Sequence, residues 1–241
     1  MVDTSILLLI VLNTAAGVLY AYDAYWGFNI RRALAVRLYR NQALGIALVA
    51  AGFAAANLLF VLIFYVIPTF YSDAIVFVVY VPVGTVFYMI DAAVLASRRS
   101  DPLLRDTFHW RRLRTPLWFA NVALIVALGL GFLLLHDLLY NNIALEYFLF
   151  SLPPLITGVC GVTLLPIVAR RSRDTNMRRH MKWFGVFGAM LLTFFFGAGA
   201  TTDFFISQML WNVPSIVGGY ALYRSVRALV PLNRISLASA D

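Results

Sequence analysis

Residues 43–67 read ALGIALVAAGFAAANLLFVLIFYVI, without one charged side chain. At about 1.5 Å per residue a helix of this length exceeds the roughly 30 Å hydrocarbon core of a bilayer, so the stretch is long enough to cross one. Immediately before it come Arg31, Arg32, Arg37 and Arg40. An apolar run that starts at an arginine cluster is the signature of a membrane helix rising from the cytoplasmic face.

Six further runs have the same character: Thr4 to Gly27, Ile75 to Ala96, Leu117 to Leu138, Ile143 to Val168, Trp183 to Ala200 and Phe204 to Val226. The last two are parted only by residues 199–203, and a fused run would be far too long for one crossing. Composition agrees, because hydrophobic residues make up 62% of the 241 positions and charged residues 12%, which excludes an ordinary soluble domain. No polar stretch is long enough for a separate water-soluble domain. One membrane domain over residues 1–230 is expected, with 231–241 as a short cytoplasmic tail.

Charge placement tests the helix count independently. With seven crossings, the clusters Arg31 to Arg40, Arg98 to Arg114, Arg170 to Lys182 and Arg224 to Arg234 share one side and hold all 19 lysines and arginines. Asp3, Asp73, Asp137, Glu146 and Asp203 occupy the other. The expectation is therefore an all-α, polytopic, seven-helix protein of the cell membrane, with its N-terminus outside and its C-terminus cytoplasmic. The net charge of +8 is a topology signal, and no basic module for nucleic acid is present.

A two-helix hairpin repeat is also suggested. Asp101-Pro-Leu-Leu-Arg105 through Trp110 matches Asp174-Thr-Asn-Met-Arg178 through Trp183, each just before an outward-running helix. Tyr20-Ala-Tyr-Asp23-Ala24 matches Tyr88-Met-Ile-Asp91-Ala92, with a partial echo at Tyr220-Ala-Leu-Tyr223. The two loop matches read either as true duplication or as short helices lying at the cytoplasmic interface.

Ionisable groups inside a span are expensive and are the first functional candidates, and Asp23 and Asp91 are the clear cases. Each precedes an arginine pair by about two helical turns, so one reading is a salt bridge to a snorkelling arginine. The other is a proton or cation site lined by Tyr20, Asp23, Tyr88 and Asp91. Pro82, Pro153, Pro154, Pro166 and Pro214 lie within the third, fifth and seventh runs and free backbone carbonyls there. Asn212 and Ser215 sit beside Pro214, and Gly218 with Gly219 admits close approach of another backbone.

The alanines at 43, 47, 51 and 55 define a smooth face for helix packing, and Asn57 points away from it as an interhelical hydrogen-bonding residue. On the outer side His136, Asp137 and Glu146 form either a cation site or a solvated acidic rim; the metal is unspecified. Cys160 reads as a small buried residue, with no partner for a disulfide or thiolate site.

No catalytic residue is assigned. HExxH, P-loop and GxSxG patterns are absent, and the three histidines do not pair for haem ligation. An interfacial enzyme would have to assemble Asp106, His109, Asp174 and His180. The layout is similar in topology to rhodopsin-like receptors and to seven-helix sensor domains, though no motif links it to either. The only lysine, Lys182, lies in a cytoplasmic loop, so no retinal Schiff base is expected.

The functional expectation is a non-enzymatic, receptor-like or accessory membrane protein. It would bind lipid, quinone or another apolar ligand and dock a membrane subunit or a cytoplasmic protein. The alternative is a proton-coupled or ion-coupled transporter using Asp23 and Asp91.

Overall fold

The computed structural model describes residues 4–34, 37–62, 155, 158–159, 161–167, 169–170, 175–200 and 204–238. Among the described residues the structure is helical and contains no strand. Four long helices organise it: α1 (Thr4–Ala33), α2 (Arg37–Val61), α3 (Thr175–Ala200) and α4 (Phe204–Ala238). Further helical backbone occupies 158–159, 161–167 and 169–170. The expected third and fourth helices, Tyr88, Asp91, His136, Asp137, Glu146, Cys160 and the first copy of the loop motif lie outside the described residues.

Each helix extends past its apolar run at the arginine-bearing end. Arg31 and Arg32 form the last turn of α1, where positive charge complements the helix dipole. Arg37 and Arg40, expected in a loop, already belong to α2. Similarly, Thr175 to Lys182 is neither a loop nor a separate interfacial helix but the opening of α3. Met177, His180, Met181, Phe184 and Phe187 are buried at spacings of three and four, so one packed face runs unbroken through the motif. The doubtful division at 199–203 is real, because α3 and α4 are distinct helices.

The helices pack through small residues. Added Cβ atoms show how close they come: at Gly17 one would lie 2.8 Å from Leu58 Cγ, and at Gly27 one would lie 2.9 Å from Ala47 Cβ and 3.1 Å from the Ala43 carbonyl oxygen. These pairs set α1 antiparallel to α2. The contact stripe on α2 runs through Ala43, Ala47, Ala50 and Ala54, all buried, while Ala51 and Ala55 are half-buried. Residues spaced by four drift about 40° per step on a helix of 3.6 residues per turn, so the contact line must shorten a step to stay on its partner.

Gly161 and Gly188 bring the helical residues near 161 against α3, an added Cβ on either lying 3.0 Å from the other's Cα. His180 bonded to Ser225 and Met190 lying against Gly218 make α3 and α4 antiparallel, while Tyr20 meets Ser215 and Tyr22 meets Tyr223, so α1 and α4 run parallel.

These registers carry Arg31, Arg32, Arg40, Arg170, Arg178, Arg179, Lys182, Arg224 and Arg227 to one end of the bundle. Large apolar side chains instead line much of its exposed surface, among them Leu7, Val11, Val18, Leu48, Leu58, Val213 and Val217. Polar residues inside with aliphatic ones outside suit a hydrocarbon solvent. Two helices, Thr4–Ala33 and Tyr39–Val61, are long and apolar enough to cross a membrane.

Candidate functional site: a buried polar core and an arginine groove

Tyr20 is the centre of the interior. Its ring is fully buried, stacks on Phe53 of α2 at 5.3 Å, and donates its hydroxyl to the Ser215 carbonyl of α4 at 2.8 Å. The phenol thus contributes apolar area to one helix and a hydrogen bond to another. Gly218 and Gly219 leave the space this needs. A Cβ at Gly218 would sit 2.9 Å from the Tyr20 hydroxyl, and one at Gly219 would sit 2.7 Å from Leu19 Cδ2. These glycines therefore admit side chains rather than a neighbouring backbone.

One turn inward from Tyr20 lies Asp23, the only carboxylate among the described residues. It is fully buried, and neither carboxyl oxygen has a hydrogen-bond partner among the described residues. Arg31 and Arg32 are exposed. A buried, unpaired carboxyl is held against a large desolvation cost.

Outward of Tyr20, three asparagines share a pattern. The side-chain amides of Asn13, Asn57 and Asn212 each donate to the carbonyl four residues earlier, those of Leu9, Phe53 and Gln208, at 2.7 to 2.9 Å. Their side-chain carbonyl oxygens are buried without a partner among the described residues. Asn57 therefore bonds within its own helix rather than across to another.

The helix registers place all three asparagines one to two turns outward of the Tyr20, Phe53 and Ser215 level, so unmatched acceptors collect in one part of the bundle. α4 continues through Pro214, which is half-buried and lacks the N–H that would pair the Leu210 carbonyl. Of the predicted site, Tyr20 joins α1 to α4 at Ser215, next to Pro214 and one turn from Asn212, while Asp23 lies one turn further along α1.

At the cationic end His180 is buried between α3 and α4, which removes it from any exposed interfacial cluster; Asp106, His109 and Asp174 lie outside the described residues. His180 Nδ1 lies 3.1 Å from the Ser225 carbonyl, and Ser225 Oγ donates back to the His180 carbonyl at 3.1 Å. With the proton on Nδ1 the two residues satisfy each other reciprocally, leaving Nε2 a buried acceptor without a hydrogen-bond partner among the described residues. The ring precedes the apolar stretch that starts at Trp183, and burial pushes its pKa down to about 4.

The surface nearby holds a feature that the sequence reading passed over. Between α3 and α4 opens a groove of about 320 Å³, walled by Arg179, Trp183, Tyr220, Tyr223, Arg224 and Arg227. Arg224 lies over the Trp183 ring at 4.8 Å and donates to the Tyr220 hydroxyl at 2.7 Å. Arg227 lies over Tyr223 at 5.5 Å and donates to its hydroxyl at 3.1 Å. Trp183 meets Tyr220 edge to face at 5.8 Å.

Each cation–π contact is worth about 0.5–1 kcal/mol at an exposed site, enough to bias a flexible guanidinium toward one position. The signal was present as the spacing of Tyr220, Tyr223, Arg224 and Arg227, which puts an aromatic one turn before each arginine.

Among the described residues, the fold and site define a helical protein with two helices long and apolar enough to cross a membrane, a polar interior and a cationic rim. No protein-family model, curated protein or solved structure matches the chain.

Proposed function

We propose that the protein is a seven-helix, multi-pass protein of the cell membrane, outside at its N-terminus and cytoplasmic at its C-terminus, acting as a non-enzymatic sensor-like or accessory component. It binds a lipid or another apolar ligand and engages a membrane or cytoplasmic partner through its arginine-bearing end. The groove between α3 and α4 carries this reading: it offers cationic and aromatic recognition without a carboxylate, histidine or cysteine among its lining residues. The distribution of arginines along the sequence supports the topology.

Gentle extraction followed by native mass spectrometry tests the reading. A co-purifying lipid, apolar molecule or partner subunit is expected, and a solitary ligand-free monomer would count against it.

A second reading has its own observation. The buried carboxyl of Asp23, without a hydrogen-bond partner among the described residues, suits a proton-coupled or ion-coupled carrier in which Asp23 and Asp91 exchange the coupling ion. This reading requires Asp23→Asn and Asp91→Asn each to abolish uptake in proteoliposomes while folded protein stays abundant.

A further inference from the structure

We infer that the groove between α3 and α4 seats the headgroup of one anionic phospholipid. Its phosphate lies among Arg179, Arg224 and Arg227, and an acyl chain runs along the outer face of α4. The inference rests on the lipid-binding reading above and names the ligand's charge and orientation.

Charge comes first. Three guanidinium groups line the groove, and no carboxylate stands among its lining residues to neutralise them. Each guanidinium has five N–H donors, and Arg224 and Arg227 each direct one nitrogen to a tyrosine hydroxyl, leaving donors for phosphate oxygens. The rings of Trp183 and Tyr223 hold those two arginines near their positions before any anion arrives. Basic pockets between helices on the cytoplasmic side are suited to phospholipid headgroups, and tryptophan and tyrosine favour the same interfacial depth.

The second observation separates a lipid from a soluble anion. On α4, Ile206, Leu210, Val213, Val217 and Tyr220 are all exposed and follow one another at spacings of three or four, the same progression that reaches Arg224 and Arg227. One continuous stripe therefore leads from the groove along the apolar flank of the bundle. The opposite face of α4, with Asn212, Ser215, Leu222, Val226 and Leu229, is buried. A free phosphate would use only the rim, whereas a phospholipid uses both rim and stripe.

The test reconstitutes the full chain in nanodiscs of phosphatidylcholine containing phosphatidylglycerol and reads the retained lipid by native mass spectrometry. Wild type is expected to retain phosphatidylglycerol in preference to phosphatidylcholine. Arg224→Gln and Arg227→Gln should each weaken that retention roughly fivefold, the loss expected for one basic residue near an anionic lipid. Arg224→Lys, which keeps the charge, should retain most of it. Should the glutamine variants fail to fold, Arg179→Gln removes a groove cation that makes neither aromatic stack.

The charge-matched control, Arg31→Gln at the same end of the bundle, should leave retention intact. Equal retention by wild type and groove variants overturns the inference, as does an equal loss in the control, which would indicate diffuse attraction. Displacement of the lipid by inorganic phosphate would also overturn it by assigning the groove to a soluble anion. If lipid is retained irrespective of headgroup charge, only this inference fails; if neither lipid nor any other ligand or partner is retained, the broader reading fails with it.

Discussion

The Tyr20 hydroxyl and the Ser215 carbonyl, 195 residues apart in the chain, meet at 2.8 Å and tie α1 to α4 in parallel. Tyr20→Phe keeps the stacked ring and deletes only this bond. Thermal unfolding in detergent should show a loss of about 1 kcal/mol. Tyr20→Ala, which also empties the space against Phe53, should cost about 3–5 kcal/mol. Equal effects of the two substitutions would mean that the hydroxyl, and not the ring, holds the helices together.

Asp23 offers a prediction with the opposite sign. Its carboxyl is buried without a hydrogen-bond partner among the described residues, so Asp23→Asn removes a costly ionisable group at nearly constant volume. The melting temperature should stay level or rise. A fall of several degrees would reveal an ionic anchor for the carboxylate, as the salt-bridge reading requires.

Two glycines distinguish tight from ordinary packing. Gly27→Ala forces a Cβ to within 2.9 Å of Ala47 Cβ and 3.1 Å of a backbone oxygen, and should destabilise by about 1–3 kcal/mol. At Gly185 the nearest atoms to an added Cβ are 3.6 and 3.8 Å away, which is normal contact. Gly185→Ala should therefore be neutral, or stabilising by up to about 1 kcal/mol through helix propensity. Both are read from the same melting series.

The pH dependence follows from His180. Its pKa falls to about 4 on folding, against about 6.5 for a free imidazole, so between these values the unfolded chain binds more protons than the native one. The stabilising contribution is fully present above about pH 6.5 and is lost as the pH drops toward 4. His180→Asn should flatten the melting temperature over that window relative to wild type. Identical pH profiles for the two proteins would show that the imidazole stays accessible to protons in the folded state.

The helical class and the cores of α1 to α4 were legible in the sequence because long apolar runs leave few alternatives. The helix ends were not. Hydropathy reports where side chains stop suiting hydrocarbon, whereas a helix ends where its backbone bonds end, so Arg31, Arg40 and Arg178 were assigned to loops although they lie on helices. Alanines 51 and 55 were misplaced for a geometric reason, the slow rotation of a four-residue repeat around its helix.

Asp23 and Tyr20 were visible as anomalous residues in an apolar run, but not their circumstances. No local pattern reveals that a tyrosine bonds a carbonyl 195 positions away, or that an aspartate has lost its solvent without gaining a hydrogen-bond partner among the described residues. The groove stayed hidden for a related reason: its arginines were counted as topology markers, and only the packing of α3 against α4 shows that they surround one space.

The parallel contact of α1 with α4 imposes an order on biogenesis. The Tyr20 hydroxyl acquires its α4 acceptor only after some two hundred residues have been added, roughly 10–40 s at ordinary ribosome speeds. Throughout that interval the nascent amino-terminal hairpin holds a tyrosine that awaits a late-arriving neighbour. An insertase or membrane chaperone that shelters this half-built hairpin is therefore expected to set the yield of the mature protein, and chains stalled before Phe204 should be the ones cleared by quality-control proteolysis.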